Sequence, residues 1–188
     1  MGIFTIGLAA VALHQVVEHI QARSAVKGRY AAAERAALEA GKPLLVVGGP
    51  YGAGPFRHTF NMPSHPGGDV CVDLWDRACD GSLFQIGDIR HLPFSDGQFG
   101  AVLCSHVLEH MADLEDATTA WAELHRVADS VFVALPTKAS SWAWLVPDHH
   151  LWVRETGPGA IEIEERRGRR RRAAVRVQAT RQIVGVAV

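Results

Sequence analysis

Five places in the chain put chemically useful side chains directly after a short apolar run. LLVV is followed by Gly48, Gly49, Pro50, Tyr51 and Gly52; DVCV runs into Asp73; SLFQI leads to Asp88 and Ile89. GAVLC is followed by Ser105, His106, Glu109 and His110, and SVFVAL by Pro136 and Thr137. Glycine lets a bound group approach the backbone closely, because no Cβ intervenes. A carboxylate has lone pairs enough to accept both hydroxyls of a ribose, which makes Asp73 a candidate ribose ligand. Asp88 is placed to take the amino edge of an adenine while Ile89 covers a ring face. Together these groups describe a nucleoside-binding crevice.

Such a crevice needs a frame. The runs at 44–47, 69–75, 82–89, 99–108 and 130–136 are largely apolar and do not alternate, as in strands of a parallel sheet covered on both faces. Residues 113–127 carry Leu114, Ala117, Trp121, Leu124 and Val127 at helical spacing. The expected fold class is therefore α/β, a Rossmann-like, doubly wound and mostly parallel sheet whose ligands sit at the carboxyl ends of its strands. Residues 53–68 are rich in Pro and Gly, so a loop is expected where a helix would follow the first strand. The alternating AIEIEE and AAVRVQA segments predict an antiparallel hairpin at the sheet edge. The N-terminal segment, 1–41, reads as two helices, or one kinked near Gly28, ahead of a domain spanning 42–188.

The stretch GDIRHLPFSDGQFGAVLCSHVLEHM, followed by a helix ending ELHRVADSVFVALP, resembles the class I S-adenosylmethionine-dependent methyltransferases, in particular the broad group acting on small molecules. The resemblance implies that Gly48 and Gly52 line the methionine part of the cofactor and that Asp73 holds its ribose. It implies that Asp88 and Ile89 bracket the adenine, and that Ser105 and His106 face the transferring methyl group. Three features depart from the family pattern: Val46 or Val47 replaces an acidic residue, Pro50 replaces the third glycine, and the helix after the first strand is missing. Gly100 also stands where the family commonly has aspartate, a change expected to matter little. The implied function is methyl transfer to a small-molecule or lipid-like acceptor; the alternative is a non-catalytic binding or scaffold protein that kept the fold.

Other readings are narrower. GGPYGAGPF lacks the lysine of a P-loop and the helix of a dinucleotide fingerprint. In HVLEH, His106 and His110 are only two histidines without H-E-x-x-H, so no metal ligand is assigned. His149 or His150 of PDHHLWV is a candidate general base, and Trp142, Trp144 and Trp152 a candidate apolar wall or sheet cover. Cys71, Cys79 and Cys104 lack C-x-x-C spacing; Cys71 and Cys104 read as small buried hydrophobes in a reducing compartment, and no disulfide framework is expected.

The 188 residues carry a net charge of −1, with 48% apolar and 21% charged, which suits a globular domain. The run Arg166–Arg172 reads as a solvated hairpin tip or a contact for an anionic membrane surface, assisted by the apolar GIFTIGLAAVAL. Absence of interleaved aromatics argues against nucleic acid. That N-terminal run is shorter than a spanning helix needs, giving an expected cytoplasmic location, with membrane association as the variant.

Overall fold

The computed structural model describes residues 2–52, 59–79, 83–166 and 174–178. Its frame is a five-stranded parallel sheet of β1 (Leu44–Val47), β2 (Val70–Asp73), β3 (Leu83–Ile86), β4 (Phe99–Ser105) and β5 (Ala128–Ala134). The order across the sheet is β3-β2-β1-β4-β5. β1 and β4 are buried along their whole length, which is why their sequences show no alternation. β2 and β3 are in register from Val70↔Leu83 to Asp73↔Ile86, so the residues following both strands emerge at the same end.

One face is covered by helix α1 (Gly2–Ala40). Val26, Tyr30, Ala33 and Ala37 form its buried stripe against Leu44, Val46, Cys71, Ala101 and Leu103. It is a single continuous helix of 39 residues, about 58 Å long, rather than two or one kinked at Gly28. A Cβ at Gly28 would meet nothing within 4 Å, and good helix formers flank the glycine, so its cost of about 1 kcal/mol is tolerated. Gly41 ends the helix at φ +63°, with the Lys42 N–H donating to Ala37 O, a left-handed stop. Ahead of the buried stripe, Leu13, Val16, Val17 and Ile20 are exposed. No helix among the described residues is long and apolar enough to cross a membrane.

The opposite face packs on α2 (Leu114–Val127) through Ala117, Ala120, Trp121, Leu124 and Val127. The Asp113 side chain caps α2 by accepting the Asp116 N–H at 2.9 Å. Acidic residues in its first turn and His125 and Arg126 in its last match the helix dipole.

After a short helix α3 (Ser141–Leu145), three strands follow: β6 (Leu151–Gly157), β7 (Ala160–Glu165) and β8 (Ala174–Gln178). They are antiparallel, as the alternation predicts, but form a separate sheet in the order β6-β7-β8 instead of extending an edge of the parallel one. Leu151, Val153, Ile161 and Ile163 join the α2-side core, so the alternating pattern reflects one face packed on that core. The loop expected at 53–68 falls partly on residues 53–58, outside the described ones; 61–69 contain no helix or strand.

Cys71 and Cys79 form a disulfide, with Cα atoms 6.1 Å apart across a separation of 8 residues, while Cys104 is free and buried. This corrects the reading of Cys71 as an unpaired core thiol and removes one support for a reducing, cytoplasmic setting. The turn after β2 brings Cys79 back to its own strand, a proximity that strand spacing does not reveal. Closing so short a loop contributes about 2.5 kcal/mol in the chain-entropy picture. Urea unfolding with and without reductant is expected to show a loss of about 2 kcal/mol on reduction; identical midpoints would mean the bridge carries no stability.

Candidate functional site

From β1 the chain moves outward through β2 to β3, then returns to the other side of β1 for β4 and β5. The reversal lies between β1 and β4, and their carboxyl ends define the crevice position of an open α/β sheet.

Gly48 leaves β1 with φ +88° and donates its N–H to Val72 O at 3.0 Å. A Cβ there would collide with the Ser105 carbonyl and the Val107 side chain, so this glycine lets the tip of β1 press against the tip of β4. A Cβ at Gly49 would strike the backbone of Ala78. Both glycines thus serve the close approach of the chain to itself. Gly52 differs: it is exposed, has φ +66°, and a Cβ would meet nothing within 4 Å. Of the two glycines expected to line a cofactor, only Gly52 is open.

Asp73 stands half-buried at the tip of β2. Its Oδ2 accepts the Gly49 N–H at 2.7 Å and its Oδ1 the Trp75 N–H at 3.0 Å. One backbone donor on each oxygen fixes the carboxylate and leaves further lone pairs for hydroxyl donors. Beside it, Leu74 and Trp75 are 66% and 59% exposed, apolar surface placed directly after the carboxylate. The sequence reading missed both, although their position after Asp73 was a signal for them.

Asp88 follows β3, at the same end of the sheet, but it is engaged. The Arg90 guanidinium grips both its oxygens, and Arg90 also pairs with Asp116 at 2.8 Å. The Arg90 hydrogen bonds hold the Asp88 carboxyl below its ordinary value. Ile89 is 4% exposed and belongs to the core with Val47, Val72 and Phe99. This corrects its expected role: Ile89 anchors the Asp88 turn from below and presents little face to a base.

Ser105 is buried at the end of β4 and its carbonyl faces Gly48. His106 then takes φ +53° and donates its N–H to Ala134 O at 2.9 Å, tying β4 to β5. A left-handed backbone at a non-glycine residue is uncommon and clusters at functional sites. Its exposed ring places Nδ1 3.1 Å from Glu109 Oε1. Glu109 has 0% exposure. Complete burial pushes its carboxyl up, but the His106 ring, its own backbone N–H and nearby His110 outweigh that and hold it below the usual value.

His149, from the segment ahead of β6, is buried, with Nδ1 3.2 Å from Ala143 O and its ring centroid 4.7 Å from that of His110. Burial lowers its basicity and favours the neutral imidazole. His150 contributes its backbone, donating its N–H to Glu109 O at 2.8 Å.

Arg166, expected in a solvated hairpin tip, instead donates to the carbonyls of Val146, His149 and Trp144, and stacks over Trp144 and Trp152. Its role is to brace the second sheet. The rest of the arginine run lies outside the described residues.

Residues 52–130 match the family described as "Methyltransferase domain". No curated protein matches the chain. Among solved structures, a protein of Pyrococcus horikoshii OT3 aligns at 18% identity and TM-score 0.38, covering 73% of this chain and 69% of its own. An amino pentose methyltransferase of Micromonospora echinaspora, solved with S-adenosylmethionine bound, aligns at 18% identity and TM-score 0.41, covering 80% and 65%. The matched segment holds Asp73, Asp88, Ser105 and His106, which the strand order of the parallel sheet presents. Over residues 52–130, and over that part alone, the chain is similar to the methyltransferase-domain family.

Proposed function

We propose that the chain binds S-adenosylmethionine at the tips of β1, β2 and β4 and methylates a small-molecule or lipid-like acceptor. The observation carrying this reading is Asp73, a carboxylate fixed by two backbone N–H donors beside the β1 glycine turn, with acceptor capacity to spare. The bound cofactor supplies a methyl group on a sulfonium, a reaction for which alignment is the main demand.

Asp73 accepts the ribose hydroxyls. Leu74 and Trp75, in place of Ile89, supply the apolar face against the adenine. Gly52 leaves room for the backbone to follow the methionine end. His106 donates through Nδ1 to Glu109, a partnership that fixes the tautomer and leaves Nε2 with a lone pair for an acceptor's proton.

Calorimetric titration with S-adenosylmethionine and with its demethylated product tests the reading. Micromolar binding is expected, weakened about fivefold or more by Trp75→Ala, since stacking on a base is worth about 1–3 kcal/mol. A second reading, a scaffold that lost turnover, is favoured by the packing of Gly48 and Gly49 into the chain and by the hold of Arg90 on Asp88. No heat and no thermal shift with either ligand would select it.

A further inference from the structure

Next to the strand tips lies a group of side chains that cofactor binding does not use. Glu109, His110 and His149 each offer a ligand atom, and these atoms all lie within 4.8 Å of one another. Glu109 and His149 are buried and His110 is exposed. We propose that these three residues bind one divalent transition-metal ion, of the zinc, cobalt(II) or iron(II) class.

The first argument is the state of the Glu109 carboxylate. Its Oε1 is 3.1 Å from the His106 ring, whereas Oε2 is fully buried and has no hydrogen-bond partner. An orphaned carboxylate oxygen at 0% exposure carries a desolvation penalty that native structures rarely leave unanswered. A cation answers it directly.

The second argument is the orientation of the two rings. His110 Nδ1 lies 3.2 Å from Asp148 O, and His149 Nδ1 lies 3.2 Å from Ala143 O. Backbone carbonyls only accept, so each ring carries its proton on Nδ1 and keeps its lone pair on Nε2. Metal-binding histidines characteristically donate their second N–H to a carbonyl or carboxylate in this way.

The third argument is reach. Three atoms no more than 4.8 Å apart admit a point within about 2.8 Å of all three, and zinc bonds to nitrogen and oxygen run about 2.0–2.2 Å. Contraction of under an ångström per ligand closes the site. Two imidazoles and one carboxylate suit borderline-soft divalent ions better than calcium or magnesium, which prefer oxygen. Three protein ligands leave coordination positions open, and the exposed His110 side is where water would take them.

The backbone supports this convergence: the 3-10 turn Leu108–His110 carries two of the ligands, and the His150 N–H bonded to Glu109 O holds the third ligand's segment against it. Spacing in HVLEH shows only the local pair; the third residue arrives from 39 positions beyond His110.

The test uses full-length protein stripped with a chelator and titrated with cobalt(II), followed by its visible d–d absorption, and with zinc by calorimetry. One equivalent is expected to bind at micromolar affinity or tighter and to raise Tm. Glu109→Gln, His149→Ala and His110→Ala are each expected to weaken binding by about tenfold or more, and His150→Ala to leave it unchanged. His110 is exposed, so its variant is the one that keeps the test decisive if the buried substitutions unfold the chain. Absence of uptake by the wild type, or unaltered uptake by a folded His110→Ala, would overturn the site. Failure of S-adenosylmethionine binding in the separate titration would leave it standing, because none of the three ligands is assigned to the cofactor.

Discussion

Gly100→Asp is expected to destabilise the protein by about 3 kcal/mol and to loosen α1 from the sheet, even though aspartate is common at that place in the family the sequence resembles. A Cβ at Gly100 would stand 2.9 Å from both Ala37 Cα and Ala40 Cβ, and 3.0 Å from Ala37 O. Those are backbone and near-backbone atoms with no flexible end to swing away. Overpacking of this kind costs about 1–3 kcal/mol, and a carboxylate pressed beneath a helix adds a desolvation term. Gly100→Ala carries only the steric part and should cost about half as much. Urea unfolding measures both, and amide exchange over residues 28–40 should report the loosening. A Gly100→Asp protein within 0.5 kcal/mol of wild type would show that the helix does not need the close approach. The expectation that this glycine matters little treated β4 by itself; what fixes Gly100 is the helix lying across it.

That contrast separates what was legible from what was not. β1 and β4 were legible because burial along their whole length leaves a sequence mark, an unbroken apolar run of strand length, and β2 and β5 carry shorter apolar runs, VCV and VFVA. α2 was legible from its apolar stripe. Asp73 was placed correctly at a strand tip for the same reason, since a carboxylate directly after such a run has few other positions. Contacts between distant segments leave no comparable mark. The Cys71–Cys79 bridge depends on how the chain turns after β2. The Arg90 grip on Asp88 is local, yet its pairing to Asp116 on α2 is not. His149 was singled out in isolation, and its proximity to Glu109 and His110 follows only from how the chain returns ahead of β6. Ile89 shows the reverse error: its neighbour's role was extended to it, while the core claimed its side chain.

Asp73→Ala is expected to weaken S-adenosylmethionine binding at least tenfold, about 1.4 kcal/mol. The carboxylate has two duties, accepting the Gly49 and Trp75 N–H groups and presenting its remaining lone pairs outward. Alanine removes both, so affinity would fall through the loop as well as through the ribose. Asp73→Asn largely separates the duties: the amide oxygen still accepts the Gly49 N–H, the exposed Trp75 N–H turns to water, and much of the capacity for hydroxyl donors is lost. Asparagine should therefore hold Tm near the wild-type value while affinity still drops several-fold. If Asp73→Asn lowers Tm and leaves affinity unchanged, Asp73 is a brace for the glycine turn alone. Paired with the Trp75→Ala titration, the two variants read the sugar and the base independently. Binding lost in both, with the fold intact, is the pattern that only a nucleoside lying across the tip of β2 produces.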